Sequence, residues 1–320
     1  MVAAVIDPDS VGVRTYTERL AEALAQLGVN YRPSERPVDG ARCHIHLANS
    51  TRSVIPHAAR QRRPFLLTVH DVVPRTPALR PLHRAVVVPL CTRRASRVIV
   101  HSKHAARLLA RTSTVAWDSV EVVPHPAPAP HSTDRAAARL GLGLESDGPP
   151  LFVLPGVLKA AKLVVETLTA AAPLLAVDRA RLLLAGRVRD EGLAATATAV
   201  GAQLIRDPDP ATYERAIVAA DAVLCLRADS VGESNGPLLD AIGAGRPSLV
   251  TGVGSAPEVA GESARVIGNS AAEIRAGLEA MLDPGERDAR AGAASARASE
   301  LTWEMSARRH LELLSELDAA

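Results

Sequence analysis

Four histidines each follow a short apolar stretch that is typical of a β-strand, and all four lie in the first half of the sequence. Nine of the ten histidines precede residue 132. The carboxyl ends of parallel strands meet at one edge of a sheet, where α/β folds bind their ligands, so we expect these side chains to share one rim. The four are His46, His70, His101 and His125. Of these, His70 ends the strand FLLTV and begins a loop that contains proline, so it is the candidate for a hydrogen bond to a substrate hydroxyl.

His44 and His46 form a second possible chemical unit. They lie two residues apart on a predicted strand, so both side chains point to one face, an arrangement that suits a divalent metal ion. A metal-dependent hydrolase would need further ligands, and His70, Asp71 and His101 are available. The sequence supplies no firm spacing for a third ligand, and a barrel hydrolase needs eight βα units in one domain. Metal-dependent hydrolysis is therefore kept only as an alternative, and our prediction for resident metal sites is none.

Two stretches of the second half place polar groups where a helix is predicted to begin. In PGVLKAAK (155–162), a strand ends and a helix is expected to start near Lys162. A lysine at that position opposes the helix dipole unless an anion binds there, and a phosphate would be held by the free N–H groups and the ammonium together. In GESNGPLLD (232–240), Glu233 opens a polar helix mouth and Asp240 lies one turn into the helix.

Short apolar stretches alternate with helical stretches along the whole chain. This alternation predicts parallel sheets with helices on both faces, and hence an α/β protein of two doubly wound, Rossmann-like domains. The Gly- and Pro-rich stretch ARLGLGLESDGPP (138–150) is typical of a domain linker. We predict an N-terminal domain over 1–140, a linker over 141–150, a C-terminal domain over 151–301 and a C-terminal helix over 302–320 that crosses back to the N-terminal domain. The predicted strands are AAVI (3–6), HIHL (44–47), FLLTV (65–69), RVIV (97–100), VEVV (120–123), LFVL (151–154), RLLLAG (181–186), AQLI (202–205), AVLCL (222–226) and PSLV (247–250).

Composition limits the class of protein. The 320 residues suffice for two domains, and the three widely spaced cysteines indicate a reducing compartment rather than a disulfide framework. The N-terminus reaches Asp7 and Asp9 too soon for a signal peptide, and the apolar run AVVVPLC (85–91) is too short to cross a bilayer. We therefore expect a cytoplasmic location. The single glycine in DPDSVGV, after the first strand, disfavours a nicotinamide enzyme.

Charge is distributed unevenly along the chain. Residues 52–111 contain thirteen Lys and Arg and a single acid, Asp71, although the net charge of the whole chain is only +2. This stretch is either an ordinary solvated surface or a patch for an anionic partner, such as the inner face of a membrane or an acidic acceptor. No nucleic-acid partner is expected, because aromatic residues make up only 2% of the chain. The candidate membrane-facing cations are Arg60, Arg62, Arg63, Arg80 and Arg84.

Six stretches, in order along nearly the full chain, resemble motifs of the GT-B glycosyltransferases, specifically the retaining family-four enzymes (glycosyltransferase group 1). The two most specific are GVLKAAK, which is similar to the phosphate loop G-x-L-x-x-R-K, and the long stretch around GESNGPLLD, which is similar to EGFGLPLLEAMACGTPVIASDVGGLPEVV. The six are VGVRTYTERLAEAL (11–24), LLTVHDVVPR (66–75), RRASRVIVHSKHAARLL (93–109), VEVVPHPAP (120–128), GVLKAAK (156–162) and the stretch from AADAVL to PEVA (219–260).

The resemblance implies two Rossmann-like domains that face a cleft, and transfer of a sugar from a nucleotide-diphosphate sugar with retention of the anomeric configuration. The acceptor would be a glycan, a lipid-linked molecule or a small molecule, and no metal or cofactor would be needed. Lys162 would bind the diphosphate, His70 would orient the donor sugar, Glu233 would hold its hydroxyls, and the helix mouth would meet the phosphates. Asp240 would chelate the ribose. The remaining donor-binding residues would be Gly12, Arg14, Gly156, Arg187, Ser234, Asn235, Gly236, Pro237 and Leu238.

Several positions depart from the family pattern. Six residues separate Glu233 from Asp240, where the family has seven between two glutamates, and Asp240 is shorter than glutamate by one methylene. The family's arginine before the lysine is Ala161 here, so the diphosphate would rely on Arg14, Arg187 or Arg227 instead. These departures leave open a second function class, a catalytically silent GT-B protein that acts as the partner of another transferase.

Overall fold

The computed structural model describes residues 1–6, 10–48, 55–74, 77–112, 116–188 and 190–319. The chain divides into two compact units. Unit 1 comprises Met1–Pro126, Val231–Ser234 and Leu301–Ala320, and unit 2 comprises Ala127–Ser230 and Asn235–Glu300. Among the helices of the described ranges, none combines the length and the apolar character needed to cross a membrane.

Unit 1 is built on the strands β1 (Val2–Val5), β2 (Tyr31–Ser34), β3 (Arg42–Leu47), β4 (Phe65–Val69), β5 (Arg97–Val100) and β6 (Val120–Val122). They form one parallel sheet in the order β2-β1-β3-β4-β5-β6. All five residues of β4 are buried, because helices cover both faces of a parallel sheet. The helices between the strands are α1 (Val11–Gln26), α2 (Ile55–Arg60), α3 (Arg80–Leu82), α4 (Val88–Arg94) and α5 (Lys103–Thr112), with a π-helical segment at His83–Val87.

Unit 2 repeats this architecture with the strands β7 (Leu151–Pro155), β8 (Arg181–Gly186), β9 (Gln203–Arg206), β10 (Ala222–Leu224), β11 (Ser248–Thr251) and β12 (Ala264–Ile267). The sheet is parallel, in the order β12-β11-β10-β7-β8-β9. This is the Rossmann order, in which the chain starts at the centre of the sheet, extends to one edge and then returns to fill the other side. The helices are α6 (Arg135–Leu140), α7 (Val164–Leu175), α8 (Glu191–Ala199), α9 (Pro210–Ala219), α10 (Gly236–Gly243), α11 (Ala256–Ala260), α12 (Ala271–Ala280) and α13 (Pro284–Glu300).

The two parallel sheets with flanking helices confirm the predicted fold class of two Rossmann-like domains. The stretch 141–150, predicted as a linker, lies in unit 2, where it wraps the buried side chain of Arg139. The guanidinium donates to the carbonyl groups of Gly148 and Pro149 and pairs with Asp221, which also accepts from the backbone N–H of Leu151. A buried cation thus fastens this glycine-rich stretch to the start of β7.

The last helix, α14 (Trp303–Ala319), belongs to unit 1. Its apolar side packs with α1 in one core that includes Leu20 and Leu24 on α1 and Leu313 and Leu314 on α14. His310, on the same helix, is fully buried. The C-terminal helix therefore completes the core of the first unit.

Candidate functional site

The carboxyl edge of the unit 2 sheet holds most of the residues that we assign to donor binding. The strand order reverses between β7 and β10, and open α/β sheets bind ligands outside the strand ends at such a reversal. Gly156 follows β7, Cys225 follows β10, and Asn235 is the N-cap of α10. The topology alone therefore brings the phosphate-loop stretch and the helix mouth to one edge.

Lys162 lies in a 3₁₀ turn, Ala160–Lys162, just before α7. The sequence analysis placed it at the start of the helix, but Leu163 adopts a left-handed conformation with φ of 55° and α7 begins at Val164. The Nζ of Lys162 donates to the carbonyl oxygen of Pro155 over 2.7 Å. The ammonium is therefore held against the end of β7 by a backbone acceptor.

The electrostatic surroundings of Lys162 favour an anion. Burial, and next the neighbouring Arg227, lower the pKa of Lys162 to about 8, and Asp240 acts in the opposite direction. An additional negative group beside the ammonium would stabilise its protonated form and raise that pKa. A phosphate has this charge and can accept the remaining N–H bonds of the ammonium.

Two glycines let the ends of β7 and β8 approach closely. A Cβ at Gly186 would lie 1.7 Å from the carbonyl oxygen of Gly156, a distance that no side chain can occupy. Gly156 has φ of +90°, and a Cβ there would lie 2.7 Å from the Nζ of Lys162. Because neither glycine has a side chain, these two positions place only backbone atoms beside Lys162. A phosphate could therefore approach the backbone closely there.

A cavity of about 320 Å³ opens at the same edge. Arg187 and Asp207 line it, with their charged groups 3.5 Å apart, and both side chains are largely exposed. Tyr213, from α9, lines it as well. Arg187, one of the predicted donor-binding residues, is therefore available at this rim although it also contacts an acid.

The mouth of α10 has fewer free amides than the sequence suggested. Asn235 makes no side-chain capping bond, and its Nδ2 instead donates to the carbonyl oxygen of Cys225 over 3.2 Å. Pro237 has no N–H, and the N–H of Leu238 donates to the carbonyl oxygen of Asn235. The N–H groups of Asn235 and Gly236 are thus the ones that the first turn of this helix presents without an acceptor inside the helix.

Asp240 is partly buried on α10, and a tyrosine of the preceding helix contacts it. The hydroxyl of Tyr213 donates to Oδ2 of Asp240 over 3.1 Å. Burial, and next the Asp240 carboxylate, raise the pKa of Tyr213 well above its ordinary value, so the hydroxyl keeps its proton and remains a donor. Sequence reasoning did not select Tyr213, and no motif marks it.

Glu233 and Ser234 belong to unit 1, because the segment Val231–Ser234 attaches to the loop that follows β4. The backbone N–H groups of Val72 and Val73 both donate to the carbonyl oxygen of Val231. Glu233 is 9% exposed, and its Oε2 accepts from the N–H of Val231 over 2.8 Å. One carboxylate oxygen of Glu233 therefore stabilises the loop that contains it. This loop lies beside the residues that follow His70.

His70 lies inside a cluster of imidazoles in unit 1. Its Nε2 lies 3.0 Å from Nδ1 of His46, and its Nδ1 lies 3.2 Å from Nε2 of His101. His46 is bridged through the hydroxyl of Tyr31 to His44, with 2.8 Å on each side. The sequence analysis expected the strand-end histidines to share a rim, and these contacts join three strand ends.

The ring of Tyr16, on α1, lies among these histidines with its centroid 5.0–6.0 Å from the neighbouring rings. His310 of α14 faces His44 at 5.6 Å between ring centroids. The rings around Tyr16 are those of His46, His70, His101, His125 and Trp303. Sequence reasoning missed Tyr16, Tyr31 and His310, since only the packing of α1, β2 and α14 brings them here.

Gly12 and Arg14 occupy the first turn of α1, where both are exposed. A Cβ at Gly12 would meet nothing within 4 Å, so local space does not require glycine there. The strand β1 ends at the reversal of the unit 1 sheet, next to β3, which is the position where such sheets bind ligands. The two residues therefore lie at the ligand-binding edge of unit 1.

Within the described residues, no group of three or more His, Cys, Asp or Glu side chains is placed to hold a metal ion. Nδ1 of His44 and Nε2 of His46 both contact the hydroxyl of Tyr31. The other two ring nitrogens contact Thr68 and His70, so all four nitrogens of this pair have hydrogen-bond partners, and the described residues give the alternative of a metal-dependent hydrolase no support.

Comparison with protein-family models found no match to this chain, and comparison with curated protein sequences found none either. Comparison with solved structures found close similarity of fold at low sequence identity. Sucrose-phosphate synthase from Thermosynechococcus elongatus has a TM-score of 0.79 and 18% identity, and the similarity covers 99% of each chain. HepE from Anabaena, in complex with UDP, has a TM-score of 0.79 and 16% identity over 98% of this chain and 99% of its own.

The chain has the GT-B fold. The glycosyltransferase WaaG, involved in lipopolysaccharide biosynthesis, adds a third neighbour, with a TM-score of 0.70 and 15% identity over 98% of this chain and 99% of its own. Similarity at this level of identity shows the fold, and the predicted GT-B architecture is confirmed. Function then depends on the residues of the site.

Proposed function

We propose that the protein is a glycosyltransferase that uses a nucleotide-diphosphate sugar as donor and retains the anomeric configuration of the sugar. One observation carries the proposal. Several groups suited to a nucleotide lie at the reversal of the unit 2 sheet. They are the ammonium of Lys162, the backbone at Gly156, the mouth of α10 and the carboxylate of Asp240. These groups match the phosphates and the ribose of a nucleotide.

The chemistry of this site supports stabilisation of a leaving diphosphate. When the bond between the anomeric carbon and the diphosphate oxygen breaks, negative charge accumulates on that oxygen. The half-buried ammonium of Lys162 and the amides of Asn235 and Gly236 would stabilise this charge more in the transition state than in the ground state. The acceptor oxygen would bond to the anomeric carbon on the same face, and its proton would pass to the departing diphosphate. No metal ion or cofactor takes part in this proposal.

The roles of Glu233 and His70, toward the sugar, rest on the resemblance. Glu233 would hold a sugar hydroxyl, and its Oε2 accepts from the N–H of Val231. Both ring nitrogens of His70 contact other imidazoles, so a bond from His70 to the donor requires one of these contacts to be exchanged for it. Arg14 and Arg187 are the remaining cations that we assign to the donor.

A panel of UDP-, GDP-, ADP- and dTDP-sugars, screened by thermal shift and by release of nucleoside diphosphate, tests the donor. We expect at least one donor to raise the melting temperature and to be turned over, and NMR of the product shows the anomeric configuration. Binding without turnover, under any acceptor supplied, favours the catalytically silent partner protein. Failure of all of them to bind contradicts the proposal.

We also propose that unit 1 attaches to an anionic membrane surface, as the basic stretch 52–111 suggested. Leu82 is 59% exposed and Val86 is 50% exposed, and the exposed Arg80 and Arg84 flank them on the same helical stretch. Apolar side chains beside arginines suit the headgroup region of an anionic bilayer. The negative lipids attract the arginines, and the apolar side chains become buried among the lipids. Such attachment would make the protein peripheral at the cytoplasmic face and would bring it to a lipid-linked acceptor.

A further inference from the structure

Histidines of unit 1 form a hydrogen-bonded chain that starts from a backbone carbonyl group. Nδ1 of His101 lies 2.9 Å from the carbonyl oxygen of Val123, which can only accept, so Nδ1 carries the proton. Nε2 of the neutral ring is then an acceptor, and Nδ1 of His70, 3.2 Å away, donates to it. Nε2 of His70 in turn accepts from Nδ1 of His46 over 3.0 Å. One backbone carbonyl thereby determines which nitrogen carries the proton in three successive rings.

The bonds keep the same direction to the far end of the chain. Nε2 of His46 accepts from the hydroxyl of Tyr31, whose oxygen accepts from Nδ1 of His44, with 2.8 Å on each side. Nε2 of His44 accepts from the hydroxyl of Thr68 over 2.7 Å. Four imidazoles, a phenol and an alcohol are thus joined so that every donor points toward the carbonyl of Val123.

Two further rings of the cluster are oriented by carbonyl groups of their own. Nδ1 of His125 donates to the carbonyl oxygen of Pro126 over 2.9 Å, and Nδ1 of His310 donates to that of Ser306 over 2.7 Å. All six rings therefore carry their proton at Nδ1, and a second proton has to enter at Nε2. In the four rings of the chain, another group already donates to that nitrogen, so a second proton breaks a hydrogen bond.

We propose that unit 1 is a pH-responsive body in which proton uptake by this cluster separates α14 from α1 and from the strand ends. The helix α14 brings His310 into the cluster, where its ring faces that of His44 at 5.6 Å between centroids. It contributes no strand to the described sheet, so it can separate while the bonds between strands remain. Its separation would admit water to the rings and expose the face of α1 that carries Tyr16 and Leu20.

The closed cluster resists protonation. Burial is the largest cause that lowers the pKa of each ring, to about 4 for His101 and His310 and to about 3 for His125. For His101, the bond to the carbonyl of Val123 acts in the opposite direction. The rings whose pKa is lowered by neighbouring histidines as well as by burial are His44, His46, His70, His125 and His310.

Other polar groups face the cluster from every element that packs against it. Burial raises the pKa values of Tyr16 and Tyr31, so both phenols stay uncharged. Two ion pairs between α14 and the sheet use partly exposed side chains, and such pairs contribute little to stability. The groups that face the cluster or join α14 to its rim are Tyr16 and Arg19 from α1, Tyr31 from β2, Cys43 from β3, Thr68 from β4, the buried Asp71 after β4, Arg97 from β5, Glu121 from β6, and Ser306, Arg309 and Glu316 from α14.

The sign of the effect follows from the lowered pKa values. A ring exposed by opening takes up a proton as pH falls through about 6.5, whereas a ring in the closed cluster stays neutral until the pH is far lower. The stability of the closed form is therefore fully present above about pH 7.5 and is lost progressively as pH falls from 6.5 toward 4. Between pH 7.5 and 5.5, each ring that opening exposes should raise the opening constant about 10-fold. The two facing rings, His310 and His44, together predict about 100-fold for α14.

Hydrogen exchange of the full chain at pH 7.5 and 5.5, corrected for the intrinsic effect of pH, measures this opening. We expect the protection of α14 to fall about 100-fold between the two pH values, while α7 of unit 2 keeps its protection. At pH 5.5, β4 should remain better protected than α14, because α14 separates before the sheet unfolds.

Two variants of α14 separate titration from packing. His310→Gln removes one titrating ring, so the pH-dependent fall in the protection of α14 should become about 10-fold smaller. Leu314→Val is the matched control, because Leu314 lies in the core that α14 shares with α1 and is not titratable. It should lower the protection of α14 by the same factor at both pH values and leave their ratio unchanged.

Nitrogen NMR at pH 7.5 tests the direction of the hydrogen-bonded chain. We expect Nδ1–H tautomers for all six rings of the wild type. Tyr31→Phe removes the hydroxyl in the middle of the chain and should leave His70 and His101 as Nδ1–H tautomers, since the carbonyl of Val123 still orients them. The wild-type measurements stand by themselves if a variant fails to fold. Equal protection of α14 at both pH values, a ratio that His310→Gln leaves unchanged, or Nε2–H tautomers for His70 and His101 in the wild type would overturn the proposal.

Discussion

At the scale of single residues, the strongest candidate is one lysine held by backbone. The ammonium of Lys162 is fixed by the Pro155 carbonyl and bordered by Gly156, which has no side chain to shield it. Its motif was evident from the sequence, because it is one of three lysines in an arginine-rich chain and falls in a phosphate-loop pattern. Its conformation was not evident from the sequence. Leu163 is left-handed, so α7 begins only at Val164, and no local sequence pattern indicates this.

Replacement of Lys162 tests its charge directly. Lys162→Ala should lower turnover by roughly 10²–10³-fold, as the loss of one positioned charge-stabilising donor typically does, with a smaller change in donor affinity. Because burial lowers the pKa of Lys162 to about 8, kcat/KM for the wild type should decline as pH rises through 8 and the ammonium is lost. Lys162→Arg keeps its charge at that pH and should remove this alkaline decline.

Steady-state kinetics over pH 6–10, on the donor that the screen identifies, makes the measurement. Lys159→Ala is the matched control, because Lys159 lies in the same loop and is exposed. It should keep both normal turnover and the alkaline decline. An alkaline decline that persists unchanged in Lys162→Arg would assign the titration to another group.

At the scale of helices and strands, the sequence indicated the central strands more clearly than the edge strands. FLLTV and RVIV form β4 and β5 with the predicted bounds, since buried parallel strands are continuous apolar runs. The sequence analysis missed β2 and β12, which lie at the edges of the two sheets. An edge strand pairs on one side only and carries polar residues and proline, as YRPS does in β2, so its pattern is weak.

Replacement of Gly186 tests whether the protein needs the close approach between the ends of β7 and β8. Gly186→Ala would put a Cβ 1.7 Å from the Gly156 carbonyl oxygen, so the strand ends must separate. We expect a loss of stability of about 1–3 kcal/mol, or more because the neighbour is backbone, together with weaker nucleotide binding. Gly292→Ala, inside α13 with nothing within 4 Å, should instead stabilise the protein by about 0.5–1 kcal/mol.

Chemical denaturation of the two variants and calorimetry with nucleoside diphosphate provide the comparison. The control shows that glycine replacement in this chain is not harmful in itself. Near-normal stability and nucleotide affinity in Gly186→Ala would mean that the ends of β7 and β8 can separate at little cost, and that the close approach is unnecessary for the site.

At the scale of the whole molecule, the distribution of charge separates the two halves of the sequence, although the net charge is only +2. The alternating pattern and the ordered motifs allowed the fold to be predicted. The packing of α1, α14 and the strand ends around Tyr16 could not be, because it depends on contacts between residues nearly 300 positions apart, such as Tyr16 with His310, whose separation is 294. The basic stretch could be predicted only in part. Its positive charge is evident from the sequence, whereas the exposed apolar side chains beside it are evident only from the structure.

Attachment to anionic membranes can be measured by liposome flotation with and without phosphatidylserine. We expect binding to anionic vesicles at low salt and release at high salt, because each arginine near such a surface contributes about 1 kcal/mol that salt screens. Arg80→Glu with Arg84→Glu should abolish flotation, and Leu82→Ser should weaken it while leaving part of the salt-sensitive component. The matched control is Arg206→Glu, which changes one charge in unit 2, at a side chain that pairs with Glu191, and should leave flotation unchanged. If the wild type fails to float with anionic vesicles at low salt, the exposed leucine, valine and arginines form an ordinary solvated surface and the acceptor must be reached from solution.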